Sequence, residues 1–245
     1  MKTLATLGLI GLSAASMAEE LDVRAFPERD EFILKVTTAM VELEPGNDDF
    51  VRVAYDCAAP PAKESEDGLR VVKKAGAVPN LSRSSNRIEV RLSEEVGDCR
   101  VRVTAPPSLA TRLRIEGAGR IRVRDWQGSL TAWSAAGDVE VLNQKGPFSL
   151  TAMSGDATLE FTGTELAVDS AVTAANGTVT VALPGNPPAA IRARAKWGNI
   201  RTDLDVSFYD EADANGVWSV TELNGGGPLI TLRNLNEDIE LLERL

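Results

Sequence analysis

The residues best suited to chemistry are two aspartates, Asp138 and Asp156, each following a glycine and set 18 residues apart. If successive 18-residue segments stack as neighbouring strands, both carboxylates project side by side at the strand spacing of about 5 Å. Two carboxylates about 5 to 10 Å apart can cleave a glycosidic bond, so one reading is a β-helical carbohydrate-active enzyme. The competing reading is turn chemistry, which favours Asp after Gly. The later equivalent positions, Thr178 and Asn199, suit a turn equally. The chain has no histidine, which excludes Ser-His-Asp triads, His-ligated metals and histidine general bases. No Asp-rich calcium repeat is present either. No cofactor and no metal are expected.

A second feature concerns binding. Between Arg100 and Arg124 lie seven arginines, at 100, 102, 112, 114, 120, 122 and 124, against the single acid Glu116. They alternate with Val101, Leu113, Ile115, Ile121 and Val123, which places them together on the outward face of neighbouring strands. Such a stripe reads as a docking surface for an anionic glycan, a lipid headgroup or an acidic protein, since Arg makes bidentate contacts to carboxylate and phosphate. It reads equally as a solvated face paired with acids such as Glu89 or Glu94. Trp133 is out of phase with Ala132 and Ser134 and so points outward, where an indole can stack on a sugar or anchor an interface. The candidate contact residues are therefore Arg112, Arg114, Arg120, Arg122 and Trp133.

Elements that would carry these residues are strands. Apolar and polar residues alternate at Phe32-Leu34-Val36, Ile88-Val90-Leu92, Ile121-Val123, Val139-Val141 and Val179-Val181. Gly119, Gly137 and Gly155 each open a short strand at an interval of 18, and Gly177 and Gly198 follow at 22 and 21. A second strand is in phase, with Gly128-Ser129-Leu130 matching Gly146-Pro147-Phe148. The spacing predicts a parallel β-solenoid over residues 105–245, two short strands per turn, because eighteen extended residues trace about 60 Å. A β-rich cap that covers the first turn is expected over 19–104, since an open strand edge invites aggregation. The last residues, Ile239 to Leu245, read as a strand or a short helical turn. An antiparallel β-sandwich is the alternative, since Asn176-Gly177 and Asn215-Gly216 favour two-residue hairpins.

The compartment follows from the N-terminus and the cysteines. Lys2, the apolar run Leu4 to Leu12 and the small-x-small triplet Ser16-Met17-Ala18 form the pattern of a signal peptide over residues 1–18, cleaved after Ala18. No second apolar span follows, so a periplasmic or extracellular protein without a transmembrane segment is expected. The chain carries a formal charge of −10, from 26 Lys+Arg and 36 Asp+Glu. That balance argues against nucleic-acid binding. The only two cysteines, Cys57 and Cys99, both lie in alternating segments. In an oxidising compartment a disulfide is the default, worth about 4 kcal/mol in the chain-entropy account, and two separate buried thiols are the alternative.

The segment Thr151-Ala152-Met153-Ser154-Gly155-Asp156, with Trp133-Ser134-Ala135-Ala136-Gly137-Asp138 and Thr173-Ala174-Ala175-Asn176-Gly177-Thr178, resembles the repeated signature of an adhesin-like family of exported bacterial β-helical repeat proteins, similar to the head GIN domain proteins. Asn86 to Val90 and Val101 to Pro106 resemble the lead-in to that repeat, and the resemblance covers roughly residues 85–241. Trp197 before Gly198 and the run Gly225-Gly226-Gly227-Pro228 depart from it. The resemblance implies a β-helical fold and an extracytoplasmic location, with no catalytic residue or ligand attached. The resulting expectation is a non-enzymatic envelope or surface protein with an adhesin-like binding or scaffolding role. The stacked-Asp enzyme and a purely structural envelope protein are the alternatives.

Overall fold

The computed structural model describes residues 19–57, 79–92, 99–185 and 187–244. The expected signal peptide, the loop after Cys57 and Glu94 lie outside the described residues. Within them the chain is all β. The strands are β1 (Glu19–Arg24), β2 (Glu31–Val36), β3 (Ala39–Pro45), β4 (Phe50–Cys57), β5 (Asn80–Ser84), β6 (Arg87–Arg91), β7 (Cys99–Ala105) and the long β8 (Ala110–Arg124). There follow β9 (Leu130–Ala136), β10 (Val139–Gln144), β11 (Phe148–Ser154), β12 (Ala157–Phe161), β13 (Ser170–Asn176), β14 (Val179–Pro184), β15 (Ala189–Ala195) and β16 (Ile200–Thr202). The last four are β17 (Tyr209–Asp213), β18 (Gly216–Leu223), β19 (Leu229–Asn234) and β20 (Ile239–Arg244).

They form two hydrogen-bonded ladders joined through β8, and most pairings are parallel. The first ladder runs β7-β3-β8-β10-β12-β14-β20-β16. The second runs β6-β2-β8-β9-β11-β13-β19-β15. Antiparallel strands flank them: β4 and β1 beyond β7, β5 beyond β6, and β18 and β17 beyond β15. The 18-residue interval appears directly as register, with Val139 opposite Ile121 and Ala157 opposite Val139. Asn176-Gly177 is therefore no hairpin: it turns the chain from the second ladder to the first. The β17-β18 hairpin does lie at Asn215, with Asp213 opposite Gly216.

Chain order and spatial order differ at both ends. β2 and β3 precede β6 and β7 in sequence yet lie one rung further in, and β19 and β20 are threaded between β13/β14 and β15/β16. Gly177 and Gly198 are thus not on adjacent rungs, as their spacing suggests. Of the two readings of residues 239–245, the strand holds over the described residues: β20 pairs with β14 along its whole length and with β16 over Ile239 to Leu241. The edges fall to β1 and β16 on the first ladder and to β5 and β17 on the second; β5 and β17 are short and exposed along their whole length, and a short polar edge discourages further pairing. The ladders run unbroken across residue 104, since β3 pairs with both β7 and β8.

Alternation explains the core. Inward side chains from both ladders meet in one cluster, in which Leu113, Ile115, Ile121, Val123, Val139, Val141, Leu159, Val179, Val181 and Leu241 have no exposed surface. Each such side chain contributes about 1.5 to 3 kcal/mol through burial. Phe148 and Phe161 fill one section with ring centroids 5.8 Å apart. At the corners the chain must pass close to the rung below. Gly137, Gly155 and Gly177 have φ of +129°, +151° and +142°, and a Cβ on Gly137 would sit 1.6 Å from the carbonyl oxygen of Gly119. Only glycine fits such a column.

Candidate functional site

The aspartates singled out by spacing stand on the corner column. Asp138 Oδ1 accepts the backbone N–H of Asp156 at 3.1 Å, and Asp156 Oδ1 accepts that of Thr178 at 2.8 Å. Asp238 repeats the contact to Asn199 at 2.8 Å. The other oxygen of Asp138 receives Arg120 at 2.5 Å. Each carboxylate therefore caps the next rung, which is what turn chemistry predicts. The Asn199 N–H, aided by the Asn199 amide and Arg201, outweighs desolvation and holds the Asp238 carboxyl below its ordinary range.

The arginine stripe does not lie on one face. β8 bends between Ile115 and Ala118, where its register shifts, and passes from the second ladder to the first. Arg112 and Arg114 consequently face out from the second ladder, while Arg120 and Arg122 face out from the first, beside Arg100 and Arg102. Alternation is a local property and carried no sign of this corner.

On the first ladder the charges cancel along the row. Arg102, Glu42, Arg122 and Glu140 occupy one position on four successive strands. Arg102 lies 3.5 Å from Glu42 and Arg122 2.7 Å from Glu140. Opposite charges directly across neighbouring strands stabilise the sheet. Arg100, Arg120 and Asp138 border a cleft of about 840 Å³ beside the disulfide between Cys57 and Cys99. The disulfide itself joins register partners on the antiparallel strands β4 and β7.

The second ladder differs. One outward row reads Arg91, Lys35, Arg114, Trp133, Thr151, Thr173, Arg233 and Arg194 on eight successive strands. It contains no acid. Trp133 is half-buried, and the Arg114 guanidinium stacks on its ring at 4.0 Å from the centroid. Arg114 also reaches Glu116 at 3.0 Å, and Arg112 reaches Glu31 at 3.0 Å. At one end of the face, Glu89 lies buried between Lys35 and Arg91, at 2.9 and 2.6 Å. Hydrogen bonds from Lys35, then Arg91, pull its carboxyl below the usual range.

At the other end the row closes in a pocket that the sequence did not bring together. Trp218, from β18, lies buried under Arg192, Arg233 and Arg194, whose guanidinium carbons are 4.3, 5.0 and 5.9 Å from its ring centroid. The outward alternation Arg192-x-Arg194-x-Lys196 is the only local signal. Arg192 pairs with Asp213 at 2.7 Å and Glu211 at 3.6 Å. Desolvation opposes ionisation of Asp213, but the N–H of Asn215 and Arg192 prevail and hold its carboxyl at about 2. Among the described residues no three or more His, Cys, Asp and Glu side chains are grouped to hold a metal ion, and no helix is long and apolar enough to cross a membrane.

No family model matches the chain, and no curated protein matches it. Two solved structures superimpose over most of its length. One is a candidate cell adhesion protein from Clostridium sporogenes ATCC 15579, at 9% identity and a TM-score of 0.42, covering 93% of this chain and 100% of that one. The other is a candidate adhesin from Bacteroides fragilis NCTC 9343, at 13% identity and a TM-score of 0.44, covering 92% of this chain and 96% of that one. At these scores the likeness carries no argument about function, and the resemblance to the head GIN domain proteins remains one of sequence pattern.

Proposed function

We propose that the chain is an exported, non-enzymatic adhesin-like protein of the cell envelope or surface, a parallel β-solenoid with two strands per turn that binds an anionic partner through the outward face of its second ladder. The observation that carries this reading is the contrast between the two outward rows. The first alternates in sign and neutralises itself. The second presents five cations, one tryptophan and two threonines over eight strands without an acid, on a chain whose formal charge is −10. A row with cations at both ends and an aromatic platform and hydroxyls between them is suited to an anionic glycan or headgroup. The disulfide supports an oxidising compartment. The hydrogen bonds made by Asp138 and Asp156 support a structural use of these acids.

The test is retention of the purified protein on immobilised envelope glycans and anionic lipids at low and high salt. Salt-sensitive retention is expected, and Arg114→Ala with Trp133→Ala should weaken it about tenfold or more, the size of one interfacial hot spot. Arg102→Ala with Arg122→Ala, on the other face, should leave it unchanged. Loss of retention in the second pair but not the first would overturn the assignment of the face.

A further inference from the structure

The pocket at the end of the cationic row holds cations that, among the described residues, have aromatic neighbours but no carboxylate partner. Arg194 and Arg233 stand directly opposite one another on the parallel strands β15 and β19. Lys196 follows two residues along from Arg194 and borders the same pocket. Like charges directly across a ladder destabilise it. Yet among the described residues no carboxylate lies within 4.0 Å of any of the three, whereas Arg192, two residues before Arg194, has two.

Their geometry is prepared. The guanidinium carbons of Arg194 and Arg233 lie within cation–π reach of the buried Trp218 ring, 5.9 and 5.0 Å from its centroid. A guanidinium over a ring keeps its N–H groups for an acceptor. The β17-β18 hairpin makes room for one of them: Gly216 has φ +124°, and a Cβ there would sit 2.7 Å from a terminal nitrogen of Arg194. Around these cations the pocket has a volume of about 360 Å³, at the small end of ligand sites. Its walls include Met153 and Leu235, 43% and 42% exposed. These two exposed side chains give a small apolar floor for a ring to lie against. Thr173 lines the pocket as well, and beyond it the row continues with Thr151 and Trp133, a hydroxyl followed by an aromatic face.

We infer that this pocket is a binding site for an acidic saccharide unit, its carboxylate or sulfate received between Arg194, Arg233 and Lys196 and its ring lying against Met153 and Leu235. This deepens the proposed function by naming the ligand class at one end of the same face, and it rests on that reading only in treating the face as a binding surface. A bound oxyanion would offset the repulsion that the register imposes.

The experiment is calorimetric titration of the whole protein with a uronate oligosaccharide, a sulfated oligosaccharide, a neutral oligosaccharide of equal length and inorganic phosphate. Binding of at least one of the two acidic oligosaccharides, weakened by salt, is expected, with Arg194→Gln plus Arg233→Gln reducing affinity about tenfold to a hundredfold. The unliganded double variant should keep a single cooperative unfolding transition, because the like-charge repulsion it removes offsets the Trp218 contacts it loses. Equal binding of the neutral oligosaccharide, phosphate binding as tightly as either acidic saccharide, or unchanged affinity in the double variant would overturn the inference. Arg114→Ala with Trp133→Ala separates the two proposals. If that pair abolishes acidic-saccharide binding while the Gln pair leaves it intact, the face stands and the pocket falls. The converse result keeps the pocket and removes the Arg114-Trp133 contact.

Discussion

Replacing Gly137 by alanine tests whether the corner column holds the ladders together. Two effects add. An L-residue at φ +129° pays a steric penalty of about 1 to 2 kcal/mol. The new Cβ would also lie 1.6 Å from the Gly119 carbonyl oxygen and must move to at least 3.0 Å. The corner cannot shift that far and keep the rung bonds beside it, Ile121 N–H to Asp138 C=O at 2.9 Å and Gly137 N–H to Ser154 C=O at 2.6 Å. Losing both costs about 1 to 3 kcal/mol. Gly137→Ala should therefore destabilise the protein by about 2 to 5 kcal/mol. Gly225→Ala is the control, since Gly225 has φ +86° but nothing within 4 Å of its Cβ position, and should cost only the conformational 1 to 2 kcal/mol. Urea unfolding followed by tryptophan fluorescence gives both values. A Gly137→Ala protein no less stable than the Gly225→Ala protein would refute the close-packed corner.

Two further predictions concern the covalent link and pH. Cys57→Ser with Cys99→Ser opens a loop closed over a sequence separation of 42 and should lower stability by about 4 kcal/mol; denaturant midpoints unchanged by the substitution or by reductant would contradict this. Glu89, Asp213 and Asp238 have carboxyls held below their ordinary values in the folded protein. Such groups contribute stability that is fully present above the unfolded pKa, about 4, and is lost as pH falls through the folded value. Unfolding free energy should thus stay level down to about pH 5 and then decline, for Asp213 over the interval reaching its folded value of about 2, and Glu89→Gln should make the decline shallower. Stability that rises on acidification in urea titrations would show the sign to be wrong.

The amino-acid pattern by itself determined the strands and the inward rows, and made a Cys57–Cys99 disulfide the expected pairing. Each follows from alternation or from a glycine at a fixed interval, and both are local: a strand sends every second side chain inward, and a column of corners needs a residue without Cβ at every turn. The outward position of Trp133 was legible for the same reason, and so was the turn role of Asp138 and Asp156.

Only the tertiary structure decided which rung lies beside which. An interval of 21 residues between Gly177 and Gly198 looks like adjacency, but β19 and β20 are threaded between those rungs, because parallel pairing depends on complementary edges and has no memory of chain order. The same reason divides the arginines of β8 between two faces, where one bend at Gly117 to Gly119 outweighs an unbroken alternation. It also brings Arg194, Arg233 and Trp218 together from three strands, a grouping that no short window of sequence contains.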